Sequence, residues 1–101
     1  MRFGDFWNKL QTQLYPGRTI RNWTAANGYL GDEFIVSSVS MTGIKIESPN
    51  AKNIQNIAKN ELEIMFNNWG DYCSGQLQRQ QFRDLTRFSK YTISIIKDVD
   101  I

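Results

Sequence analysis

The stretch Asn60 to Cys73, NELEIMFNNWGDYC, constrains the fold of this chain more than any other. Leu62, Met65, Phe66, Trp69, Tyr72 and Cys73 recur at the spacing of one buried helical stripe. A stripe this aromatic needs other elements to pack against it. Asn60 followed by Glu63 predicts a capping box at the start of the helix. The stripe keeps its phase through Gly70, so the helix is expected to continue to a stop at Gly75.

The sequence has 101 residues, 41% of them hydrophobic and 13% aromatic, which fits a folded single domain over residues 1–101 rather than a disordered chain. The net charge of +2 does not announce a nucleic-acid partner, but the charge is unevenly spread. Residues 61–75 hold three acids and no base, whereas residues 76–97 hold five bases and one acid. The single cysteine, Cys73, excludes an intrachain disulfide and is expected as a buried small hydrophobe. Neither a leader-like apolar segment nor a run of membrane-spanning length is visible, so a cytoplasmic protein without a membrane partner is expected.

Phe3, Phe6, Trp7, Leu10 and Leu14 predict a helix over about residues 4–14, stopped by Tyr15-Pro16-Gly17. Its aromatic stripe either packs on its own core or meets a partner subunit. Thr19 to Thr24 reads as a strand, and Ala25 to Asp32 as a glycine-bearing loop. Glu33 to Val39 and Gly43 to Ser48 are the clearest strands, with Ile44 and Ile46 on one side and Lys45 and Glu47 on the other. Residues 49–59 are rich in asparagine, which disfavours a helix interior. They read as a loop, or as a short strand near Asn53–Ala58. Gln76 to Phe88 suits a second amphipathic helix. The tail Ser89 to Val99 alternates like a strand at Tyr91, Ile93 and Ile95, but also suits a helix capped by Ser89, the preferred reading. The expected fold is α+β: an N-terminal helix, a three- or four-stranded antiparallel sheet, then two or three C-terminal helices on one face.

The chain has no histidine, which removes the commonest general base and metal ligand. One cysteine without histidine gives neither a Cys–His nucleophile nor a zinc cluster. No phosphate-binding glycine loop is present, and Gly28-x-x-Gly31 is too short for a dinucleotide fingerprint. Asp32 and Glu47 do not carry a nuclease metal pattern, because Ser48 and Pro49 follow Glu47. No catalytic residue, metal site or cofactor is expected, and an enzyme is the less favoured class.

Two groups of residues remain as binding candidates. Arg21, Trp23 and Tyr29, beside a glycine-bearing loop, are candidates for a small-molecule pocket, against the plainer reading of ordinary packing. Arg79, Arg83, Arg87 and Lys90 fall within an arc of about 80° at helical spacing. That one-sided basic stripe can contact nucleic-acid phosphates, or can be a solvated face paired with Glu61, Glu63 or Asp71.

The segments IRNWTAANGYLGDEFIV and LTRFSKYTISII resemble small uncharacterised bacterial proteins of mobile elements, notably those encoded by integron gene cassettes. The likeness is spread over residues 18–96 and includes no motif of known chemistry. It implies a compact α+β domain that often self-associates, and no catalytic residue is carried over from it. A noncatalytic binding or interaction module is therefore the expected function. A homo-oligomer, most simply a dimer, is the expected partner arrangement, with the aromatic N-terminal helix as the first place to look.

Overall fold

A computed structural model describes residues 2–48, 51–76 and 89–99. Helix α1 (Phe3–Gln13) is followed by strands β1 (Thr19–Thr24), β2 (Gly28–Val39), β3 (Gly43–Ser48) and β4 (Ala51–Ala58). Helices α2 (Lys59–Asn67), α3 (Trp69–Cys73) and α4 (Ser89–Val99) come after them. The strands form one antiparallel sheet in the order β1-β2-β3-β4, with every neighbour joined by a direct connection. The fold is α+β in the predicted order, with four strands.

The core lies between one sheet face and the helices. Ile20, Phe34, Val36, Ile44, Ile46 and Ile57 project from the sheet into it. Phe6, Trp7, Leu10, Leu14, Leu62, Met65 and Tyr72 meet them from the helices. The aromatic stripe of α1 is thus buried inside the protomer, where Phe6 and Phe66 stack at 5.1 Å between ring centroids. That spends the surface on which a partner was first expected. Pro16 and Gly17 end the helix as the sequence indicates, and Gly17 turns at φ +96° with its N–H on the Val36 carbonyl.

Four details differ from the sequence reading. The loop at Ala25 to Asp32 shrinks to a turn at 25–27, because Gly28 at φ +69° closes a hairpin and β2 starts there. Strand β4 is longer than the short strand considered, and pairs with β3 from Gly43↔Ala58 to Ser48↔Ala51. Gly43 is required at that crossing: a Cβ would lie 2.6 Å from the Ile57 carbonyl oxygen. Helix α2 has Ala58 as its N-cap and no side-chain cap, so the Asn60–Glu63 capping box does not form. The Lys59 N–H instead donates to the Thr42 carbonyl at 2.9 Å, which ties the helix start to the β2–β3 turn.

The fourth difference lies at Asn68. The backbone leaves the helix there at φ −111°, ψ 10°, and the Asn68 amide donates to the Ile64 carbonyl. The stripe resumes in α3, which turns out at Gly75 (φ +86°). Tyr72 stays buried, but the break leaves Cys73 exposed rather than in the core. Desolvation still pushes its thiol pKa up, against the opposing charge of Lys97. The tail is helical, as preferred. The helix expected over Gln76 to Phe88 lies outside the described residues.

Candidate functional site

Three places gather polar or exposed groups: a polar cluster where α4 crosses the sheet, the Arg21 neighbourhood, and the outer face of the sheet with its edges. The cluster starts from an anomaly in β1. Asn22 shares the inward phase of Ile20 and is buried, so its amide needs internal partners. Its Nδ2 donates to Asp32 Oδ2 on β2 at 2.5 Å. Lys90 Nζ on α4 reaches the same oxygen at 3.2 Å. Ser94, one turn further along α4 and also buried, lies 3.3 Å from Asn22 Oδ1 and 3.1 Å from the Lys90 carbonyl. One hydroxyl proton serves one of those acceptors at a time. The same hydroxyl accepts the Trp23 backbone N–H at 3.0 Å.

Desolvation raises the Asp32 pKa, but hydrogen bonds from Lys90 and Asn22 and the Lys90 charge outweigh it, and the net value falls below the ordinary 3.8. A carboxylate with a lowered pKa and two donors in place is a poor proton acceptor at neutral pH. The cluster therefore has the character of a structural tie between β1, β2 and α4. Asp32, the last residue of the expected loop, sits inside β2. Among the described residues no group of three or more acids and cysteines is placed to hold a metal ion.

Of the predicted small-molecule residues, Arg21 and Tyr29 come together and Trp23 parts from them. The Arg21 guanidinium stacks on the exposed Tyr29 ring at 4.4 Å. Trp23 pairs with Tyr29 in strand register, but its indole packs in the helical layer, 5.9 Å from Trp69. Lys97 Nζ lies 4.9 Å from the same indole, and Trp69 continues to Tyr72 at 5.8 Å. The register shift between Arg21 and Trp23 accompanies this divergence. Of the predicted basic stripe, Arg79, Arg83 and Arg87 lie outside the described residues, and Lys90 is engaged with Asp32.

The outer face of the sheet carries a registered row, Thr19, Ile35, Glu47 and Ile54, one residue from each strand and all exposed. Ile35 is 39% and Ile54 55% exposed, with Tyr29 at 51% further along β2. The two sheet edges differ. At β1, the outward N–H of Trp23 ends on Ser94, and the N–H of Ala25 just beyond ends on the Tyr72 hydroxyl at 3.0 Å. The other edge, β4, carries no such side-chain bond among the described residues.

Sequence reasoning missed Asn22, Asp32 and Ser94. The signals were an amide in the apolar phase of a strand and a serine inside TISII. The chain matches no protein-family model, no curated protein and no solved structure.

Proposed function

We propose that the protein is a noncatalytic interaction module that works as a homo-oligomer, most simply a dimer. One observation carries this reading. The most prominent buried polar groups, Asn22 and Ser94, are satisfied by internal partners, whereas large apolar side chains, Ile35 and Ile54, stand exposed on a regular sheet face. Ile35 and Ile54 share one row of the outer face, on either side of Glu47, which supports association over chemistry. The resemblance to integron-cassette proteins of mobile elements supports it, since such proteins often self-associate.

Light scattering tests the reading. At tens of micromolar protein the expected mass is twice the 11.8 kDa of the chain. A monomer mass at that concentration contradicts it. A low-salt gel shift with duplex and single-stranded nucleic acid is expected to show no binding. A retained shift that weakens steeply with salt would favour the basic stripe instead. A thermal-shift screen against metabolites and nucleotides addresses the Arg21–Tyr29 surface, and no stabilisation is expected there.

A further inference from the structure

We propose that two copies of the chain join edge to edge through β4, antiparallel about a twofold axis, to make one sheet of twice four strands. This rests on the reading that the protein self-associates, and it names the surface.

The phase of the β3–β4 ladder shows which backbone groups β4 offers. The Lys59 N–H donates to the Thr42 carbonyl, and this contact extends the register that pairs Gly43 with Ala58. In an antiparallel pair, bonded and non-bonded positions alternate. Ile44↔Ile57 and Ile46↔Gln55 are therefore the bonded pairs, while Gly43↔Ala58, Lys45↔Asn56 and Glu47↔Ile54 are not. The N–H and C=O groups of Ile54 and Asn56 accordingly point away from β3, and no side chain bonds them among the described residues; the Ala58 carbonyl, at the N-cap of α2, belongs to the helix.

A twofold axis through Gln55 sets Ile54 opposite the partner's Asn56, and Asn56 opposite the partner's Ile54. Both pairs meet through outward-pointing groups, as an antiparallel ladder requires. The segment from Asn53 to Ala58 carries no charge, so pairing with its own copy brings no like charges together. Lys52 and the register shift before Ile54 protect the first part of β4, but from Asn53 to Ala58 no proline or charge does so. The arrangement also makes the two half-exposed Ile54 side chains diagonal neighbours on the outer face. The sheet then ends at two β1 strands, where Ser94 and Tyr72 take the N–H groups of Trp23 and Ala25 and so oppose further pairing at the hairpin end.

The test is sedimentation velocity across a dilution series of the full chain, comparing wild type with Asn56→Pro and Ile54→Lys. Proline at 56 removes a donor that serves no bond inside the protomer, so circular dichroism is expected unchanged. The wild type is expected to be dimeric at tens of micromolar, and Asn56→Pro to weaken dimerisation at least tenfold. Ile54→Lys sets two like charges diagonally across the interface and is expected to do the same. It decides the matter if the proline variant does not fold. A dimer whose dissociation constant neither folded variant changes overturns the β4 interface and leaves self-association standing. A monomeric wild type overturns both.

Discussion

At the β1 edge the Trp23 N–H ends on Ser94 and the Ala25 N–H on the Tyr72 hydroxyl, while at the β4 edge Ile54 and Asn56 present their backbone groups with no side chain bonded to them among the described residues. The difference comes from where the helices lie. Helix α4 packs chiefly on β1, and Arg18 beside that strand bonds Asp98 at 2.8 Å to hold the helix along it. β4 runs straight into α2, which buries Leu62 and Met65 in the core. The β1 edge is thus tied inside the protomer at its hairpin end, by Ser94 and Tyr72, and β4 carries no such tie among the described residues.

Ser94→Ala leaves the Trp23 N–H and the buried Asn22 Oδ1 without their partner, and is expected to cost about 2–3 kcal/mol in denaturant unfolding. A loss under about 0.5 kcal/mol would mean that the edge does not depend on that hydroxyl. At the β3–β4 crossing, Gly43→Ala pushes a methyl against the Ile57 carbonyl and is expected to destabilise by about 2 kcal/mol. Tyr72→Phe removes one hydrogen bond to Ala25 and is expected to cost about 1 kcal/mol, read as a lowered urea midpoint with unchanged slope.

The smallest effect belongs to Lys90→Met. The Lys90–Asp32 pair is partly exposed, so its loss is expected to cost at most about 1 kcal/mol at pH 7. The pH dependence is more telling. Because Asp32 has a folded pKa below its ordinary 3.8, its contribution is complete above about pH 4 and is lost as pH falls through the folded value. The wild type should therefore lose stability more steeply than Lys90→Met in acid, and the gap between them should close there. Parallel acid limbs would place the tie elsewhere.

The helices and hairpins with clear periodicity were legible in the sequence: α1, the β3 alternation and the apolar stripe of α2 all follow from residue spacing. β4 was hard to see because Ile54 and Ile57 lie on opposite faces, three residues apart, and so break simple alternation; pairing with β3 decides the strand. α4 was ambiguous for the opposite reason. Thr92 to Ile96 are all buried, and a helix covered on most sides shows no single apolar stripe. The Asn22–Asp32–Lys90–Ser94 cluster joins residues far apart in the chain, so no local spacing announces it. Cys73 was misplaced because the stripe hid the break at Asn68. Arg21 and Tyr29 do meet, but Trp23 follows the bulge into the helical layer, which residue order alone does not show.

Amide hydrogen exchange followed residue by residue, at protein concentrations well above and well below the dimer dissociation constant, tests the contrast between the edges most directly. The Trp23 amide should be protected at both concentrations, because its acceptor lies within the protomer. The amides of Ile54 and Asn56 should be protected only at the higher concentration. Exchange at Asn56 that is equally fast at both, or a Trp23 amide that exchanges as freely as Asn56, would contradict the account.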